Sequence, residues 1–263
     1  MRITRHVFIA VWVTVLATGS QLPARTLAEQ LIAADAAITS VRCDIRRETL
    51  VAGQRVHTLS RVWYARPDRL RVETVTPEPR RILVDGTNIY KWVEGHTEGV
   101  RLPLAEAPEA ERLQVRKVPG TAEDYLLRLR GVPEQPLPPT EAFPVRRGYA
   151  SPEPHPFAEL AMDPQGRLGQ VAYFSTAAQT NRLLQVEFGG WREAQPGLWF
   201  PCLQQATVTG PDGKTIRETV RVSAWVVNQP FDSSLFEVAS AAKGVRFVSV
   251  DEMVAILAER KKK

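Results

Sequence analysis

Between residues 41 and 93 the chain passes through five short β-rich segments, 41–51, 55–65, 70–76, 81–85 and 88–93, with no helix-length interval between them. Turn signals separate them: Ala52-Gly53-Gln54, Arg66-Pro67-Asp68, Pro77-Glu78-Pro79 and Asp85-Gly86-Thr87. Gly and Asp tolerate the left-handed backbone of tight turns, and Pro presets φ there. A parallel pair needs a crossover of a dozen or more residues, which these intervals do not supply. The first third therefore reads as an antiparallel meander, not as βαβ units.

Strands resume at 157–162, 168–175, 182–189, 198–209 and 215–227, with Asp163-Pro164-Gln165-Gly166 and Gly210-Pro211-Asp212-Gly213 as turns. Leu184, Val186 and Phe188 share one face. Ile216, Val220, Val222, Ala224 and Val226 share another, with Arg217, Thr219, Arg221 and Ser223 opposite. Each late strand thus has one apolar and one wetter face. About ten such strands imply an α+β, mainly β, fold: one curved sheet around an apolar interior, lidded by helices. The first helix opens at Thr26-Leu27-Ala28-Glu29, a capping box, and carries Leu27, Leu31, Ala34 and Ile38 at helical spacing. Segments 105–116 and 121–130 are also expected to be helical. Eight prolines between 133 and 156 predict an extended surface loop inside a single domain spanning 20–249.

The two ends account for the charge. Arg2 and Arg5 precede a largely apolar run of eleven residues, 7–17, and Ala17-Thr18-Gly19 offers a cleavage site before Ser20, with Ala24 a second candidate. A membrane span takes about 20 apolar residues, so 1–19 reads as a secretory signal on an exported, soluble protein. No Cys lies near that site. At the other end, Val250, Met253, Val254 and Leu257 form an apolar stripe on a helix that caps the core and ends in Arg260-Lys261-Lys262-Lys263. The formal charge of +5 depends on these segments; without their six cations, 28 basic residues face 29 acidic ones. A nucleic-acid-binding body would carry a basic stripe, so that class is excluded. The tail could touch an anionic membrane surface.

Catalytic signatures are missing. The sequence holds no HExxH, CxxC, GxSxG or phosphate-binding glycine loop. Glu94-Gly95-His96-Thr97-Glu98 reads as a solvated turn, not as a metal site. A binding protein without cofactor or metal is expected. Cys43 and Cys202 either bridge two strands in an oxidising compartment or stay separate as small buried hydrophobes.

Residues 62–92 carry a family resemblance. Trp63-Tyr64-Ala65-Arg66-Pro67-Asp68, then Thr76-Pro77, then Ile82-Leu83-Val84-Asp85-Gly86-Thr87-Asn88-Ile89-Tyr90 resembles the LolA family of outer-membrane lipoprotein carriers. Gly197-Leu198-Trp199-Phe200-Pro201, Asp212-Gly213, the run from Asn228 to Phe236, and Gly244-Val245 extend the likeness in outline over most of the chain. Sigma-factor regulator domains of the MucB type and mycobacterial lipid carriers share these features.

The resemblance implies an incomplete, strongly curved antiparallel β-barrel of about ten to eleven strands, with a helical lid over an apolar cavity. It also implies a periplasmic carrier, monomeric, that takes lipoprotein acyl chains from an inner-membrane ABC exporter to an outer-membrane acceptor. The alternative is a periplasmic lipid carrier, or a sensor module of the MucB type that binds a membrane-anchored regulator. Arg66 would hydrogen-bond the lid when it is closed. The expected lining is Leu27, Leu31, Trp63, Tyr90, Trp92, Leu184, Val186 and Phe188, although strand alternation leaves Trp63, Tyr90 and Trp92 free to face outward. Each buried methylene contributes ~0.8 kcal/mol, so three chains could be held without a catalytic group.

Overall fold

A computed structural model describes residues 25–260, apart from 52, 151–154, 177, 180 and 211. The expected signal (1–19), its cleavage site and Lys261 to Lys263 lie outside the described residues. The chain opens with α1 (Leu27–Asp35). Its capping box is complete: Thr26 Oγ1 accepts from the Glu29 amide (3.3 Å), and the Thr26 amide donates to Glu29 Oε2 (3.0 Å).

A meander follows: β1 (Ser40–Val51), β2 (Gln54–Ala65), β3 (Arg69–Thr76), β4 (Arg80–Asp85), β5 (Asn88–Val93) and β6 (Glu98–Pro103). Two short helices, α2 (Glu109–Arg116) and α3 (Glu123–Leu126), come next, the second running into a 3-10 turn at Leu127–Leu129. The second meander is β7 (Glu134–Pro136), β8 (Val145–Ala150), β9 (Phe157–Met162), β10 (Leu168–Phe174) and β11 (Arg182–Gly189). It is followed by the small hairpin β12 (Arg192–Gln195) and β13 (Leu198–Phe200), then β14 (Leu203–Thr209) and β15 (Thr215–Val227). A 3-10 turn (Ser233–Phe236), α4 (Val238–Ala241), β16 (Arg246–Val248) and α5 (Val250–Arg260) complete the described chain.

One sheet of fourteen strands contains both meanders, in the order β16-β6-β5-β4-β3-β2-β1-β15-β14-β11-β10-β9-β8-β7. Among the described residues only β16 runs parallel to its neighbour; the other pairs are antiparallel. The long strands β1 and β15 join the halves, from Val41 opposite Val227 to Leu50 opposite Arg217. The sheet is not closed, because β16 and β7 end it without pairing to each other. The count exceeds the expected ten to eleven because β6, β7, β8 and β16 are too short or too rich in Pro and Gly to stand out from turns.

The expected faces of β15 need one correction. Val220 and Val222 are buried as expected, but Ala224 is exposed and Val226 is 39% exposed. The cause is a β-bulge: pairing jumps from Arg42–Val226 to Asp44–Ser223, so Ala224 and Trp225 together oppose Cys43. Ala224 takes φ +53° to accommodate the extra residue. The phase then reverses, bringing Trp225 and Val227 to the core side.

The proline-rich stretch is likewise more than a surface loop. It supplies β7 and β8, and between them it lies across the outer face of β8–β10. Leu137 packs there against Phe157, Ala172 and Phe174. Strands β9 and β10 are consequently buried along their whole length, which explains why neither alternates. Gly169 permits the close approach: a Cβ there would come within 2.6 Å of the Phe143 ring. Gly169→Val should push Phe143 off the strand and lower stability by about 1–3 kcal/mol. In a Phe143→Ala background the same change should cost far less. Equal costs in the two backgrounds, by thermal melts, would refute this account of the strap.

The outer face of the first meander is covered by the C-terminal segment. Arg71 Nη1 donates to the Leu235 carbonyl (3.1 Å), and Phe247 packs edge-on against Tyr90 and Trp92 at 5.0 and 5.7 Å. Helix α5 does not cap the core as its stripe suggested. It leans on β6, the strand next to the β16 edge, and Val254 is 61% exposed. Arg260 pairs with Glu98.

Candidate functional site

The inner face of the sheet, on which α1, α2 and α3 pack, changes character along its strands. Cys43 lies opposite Val62, which lies opposite Val72, which lies opposite Ile82, so the pairing lines up one apolar row across β1–β4. One residue pair further along are Ile45, Ser60 and Thr74; beyond those come Arg47 opposite Thr58, and Thr49 opposite Glu218. The apolar end is sealed: Val41, Cys43 and Tyr64 are buried with Ile38, Val118 and Phe200. Toward the polar end the helices no longer touch the sheet, and an open cleft of about 580 Å³ remains. Ile45, Val62, Leu70, Val72 and Ile82 form its floor, and 117–120 with Asp124 and Tyr125 form the opposite wall.

Polar groups ring the mouth. Ser60 Oγ and Thr74 Oγ1 are 3.2 Å apart; Thr49 Oγ1 donates to Glu218 Oε2 (3.3 Å), which also faces Arg47 Nε at 3.6 Å. On the helical wall Lys117 pairs with Asp124. Burial pushes the Tyr125 hydroxyl up to about 12, reinforced by the Asp124 and Glu218 carboxylates and opposed by Arg47. Those three charged groups therefore act on one point of the cleft wall. The other side of the Tyr125 ring meets Phe188 at 6.0 Å. Tyr125 thus partitions the cleft from the second apolar cluster.

The β2–β3 corner holds two helix ends. Arg66 Nε donates to the Ile38 carbonyl (2.7 Å) and Nη2 to that of Asp35 (3.3 Å), satisfying acceptors at the end of α1. Tyr64 Oη donates to the Arg116 carbonyl at the end of α2 (2.6 Å), and Arg116 Nε pairs with Asp68 (2.9 Å). The start of α1 is fixed separately: Glu134 Oε2 accepts from the Leu27 amide (2.7 Å), and Tyr149 Oη from that of Ala28 (3.1 Å).

Asp35 faces a smaller apolar pocket of about 200 Å³, among Leu31, Leu126, Trp191 and Trp199. Desolvation, and then repulsion from Glu123, push its carboxyl up to about 7; a Thr121 hydrogen bond and the Arg66 charge act the other way. Because the folded pKa lies above the ordinary 3.8, the folded protein binds this proton more tightly than the unfolded chain. The associated stability is full below about pH 4 and is lost as pH rises through about 7. Asp35→Asn should flatten this part of the profile and raise Tm at pH 8 relative to wild type. Parallel melts between pH 4 and 8 that keep the same slope would sink the assignment.

The structure brings together five of the eight expected lining residues. Leu27, Leu31, Leu184, Val186 and Phe188 meet in one cluster with Leu126, Leu129 and Tyr173. None of the eight lines the larger cleft, and Leu31 alone borders the smaller pocket. Trp63 is on the opposite face from Val62 and Tyr64, between Arg42 and Arg71 at 5.9 and 5.5 Å. Tyr90 and Trp92 likewise face outward, because Ile89 takes the inner phase. The floor residues missed, Ile45, Val62, Leu70, Val72 and Ile82, had their alternation in the sequence; its phase was lacking.

Cys43 and Cys202 are both free. Cys43 is in β1 and Cys202 directly precedes β14, with β15 between those strands. Two strand spacings come to roughly 10 Å, too far for the Cα separation of a disulfide. Of the 94–98 turn, Glu94 pairs with Arg81 (2.7 Å) and Glu98 with Arg260. Among the described residues no three His, Cys, Asp or Glu side chains are grouped to hold a metal, and no helix is long and apolar enough to cross a membrane.

No family model matches the sequence, and no curated protein does. Solved structures do match. A LolA superfamily protein from Nitrosomonas europaea is 11% identical with a TM-score of 0.50, over 81% of this chain and 98% of that one. A putative outer membrane lipoprotein-sorting protein domain from Vibrio parahaemolyticus is 9% identical with a TM-score of 0.51, over 81% and 95%. A DUF1329 family protein from Desulfovibrio piger is 7% identical with a TM-score of 0.53, over 81% and 95%. At these identities the likeness concerns the fold, which is LolA-like.

Proposed function

We propose that this chain, built on a LolA-like fold, is a periplasmic carrier that shelters acyl chains of lipoproteins and moves them from the inner to the outer membrane. The observation that carries the reading is the open cleft over Ile45, Val62, Leu70, Val72 and Ile82: an apolar floor in which Val62 is buried and the other four are only half-buried, within an otherwise packed inner face. Such a floor grips without direction, at ~0.8 kcal/mol per buried methylene. Cargo can then pass on to an acceptor that offers more burial, with no bond made or broken. The protein acts as a monomer, without cofactor. An inner-membrane ABC exporter supplies it, and an outer-membrane acceptor relieves it.

Arg66 serves as the latch of α1 in this scheme. With its start held by Glu134 and Tyr149 and its end by Arg66, α1 can swing open at the Arg66 end. That movement uncovers Leu27, Leu31, Leu184, Val186 and Phe188 as additional lining beside the cleft. The test is an exporter-dependent release assay with the mature protein, alongside mass spectrometry of its organic extract. Release of lipoprotein into a soluble complex is expected. Free lipid in the extract with no lipoprotein accepted would end the sorting claim.

A further inference from the structure

Resting on the carrier reading, we infer that the cleft takes one acyl chain at a time, belonging to an amphiphile whose polar head sits on the ring formed by Arg47, Glu218, Thr58, Ser60, Thr74 and Lys117. Two observations carry this independently: the volume and the ordering of chemistry along the strands.

A methylene takes up about as much room as a water molecule, roughly 30 Å³. The 580 Å³ cleft therefore matches the room taken by one chain of about sixteen to eighteen carbons. Widening is blocked on both sides. Toward β11 the Tyr125 ring closes the cleft against Phe188, and its carbonyl is held by the Tyr173 hydroxyl (2.5 Å). Toward the apolar end, Tyr64 and Val118 are already packed. Three such chains would need about three times this room.

The head position follows from the register. β1, β2, β3 and β15 all turn polar at the same end of the cleft, so the polar residues form a continuous ring and not scattered breaks in an apolar surface. Both ion pairs at this ring, Arg47–Glu218 on the sheet and Lys117–Asp124 on the helical wall, border the same cleft. Together they present both signs of charge with no net excess, and the hydroxyls of Thr58, Ser60 and Thr74 stand beside them. That surface suits a zwitterionic or multiply hydrogen-bonding head. It suits a bare alkyl end poorly, because an alkyl group would strip water from those groups and return no hydrogen bond.

The experiment loads delipidated mature protein with palmitoyl lysophosphatidylcholine, a single chain with a zwitterionic head, and counts bound copies by native mass spectrometry at saturation. One copy per protein is expected. Two or three copies would overturn the single-chain inference while leaving the carrier reading in place; no binding of this probe or of methyl palmitate would overturn the carrier reading itself. The head ring is read from the ratio of the two affinities, with the lysolipid expected to bind about tenfold more tightly than the methyl ester. The double variant Arg47→Gln/Glu218→Gln, which removes both partners and so strands neither charge, should bring that ratio close to one. A wild-type ratio of one, or a ratio unchanged in a variant with a native melting profile, would reject the ring as the head site.

Discussion

Val72→Trp should cost the protein most of its affinity for an acyl chain, while its thermal midpoint stays within a few degrees of wild type. Val72 stands mid-floor, opposite Val62 on one side and Ile82 on the other; it is half-buried, packed on one side against the cluster around Val62, with its remaining surface lining the open cleft. An indole there occupies the room of about three methylenes, and at ~0.8 kcal/mol each their loss amounts to about 2.4 kcal/mol, or some 50-fold in Kd. Overpacking penalties of about 1–3 kcal/mol arise where added atoms must displace others; in an open cleft they need not. Titration of a fluorescent fatty acid into both proteins checks the result. A variant that binds as wild type does would show that the chain lies elsewhere, most plainly under α1.

Arg66→Leu should act on motion more than on the fold. The guanidinium supplies hydrogen bonds to the carbonyls of Ile38 and Asp35, and a hydrogen bond from a charged group is worth about 1.5–3 kcal/mol. Their removal leaves the end of α1 tied by its own turn, in which the amides of Ala36, Ala37 and Ile38 donate to Ile32, Ala34 and Asp35, and by Asn228 Nδ2, which donates to the Ala37 carbonyl (3.2 Å). Hydrogen exchange at those three amides should quicken by about 100-fold, the equivalent of roughly 2.7 kcal/mol. The Leu27 and Ala28 amides, held by Glu134 and Tyr149, should keep their protection. Release of a bound chain should speed up with the same mutation. Lys in place of Arg lacks the fork that reaches both carbonyls and should restore only part of the effect. Uniform loss of protection along α1 would point to a general destabilisation and take the latch role away.

Most strands of the first meander were legible to within a residue because each ends at Gly, Pro or Asp, whose backbone preferences are local. What depends on distant partners was not. Nothing within β2 tells whether Trp63 or its neighbours Val62 and Tyr64 face the helices; the answer comes from Val118 and Phe200 packing against them. The bulge at Ala224 was equally hidden, since the residue that shifts the phase of β15 is neither Gly nor Asn. Prolines concealed β7 and β8, although an edge strand tolerates Pro because one side of it forms no ladder. On the first meander the expected lining took the bulky aromatics Trp63, Tyr90 and Trp92, whereas the cleft uses the branched aliphatics beside them. Arg66 was legible as a motif, and its partners at the end of α1 became visible only in three dimensions.

The open sheet has a consequence for the company this protein keeps. A sheet with free rims is a template on which a second chain can add strands, and an uncovered apolar floor nearby would make that association hard to reverse. Here both rims are three residues long. One is Glu134 to Pro136, where the proline has no N–H to offer; the other is Arg246 to Val248, followed at once by a helix that turns the chain away. Neither rim is long enough for another strand to zip onto. The protein can therefore keep its cleft exposed and stay unaggregated, spending its stickiness on a guest instead of on copies of itself.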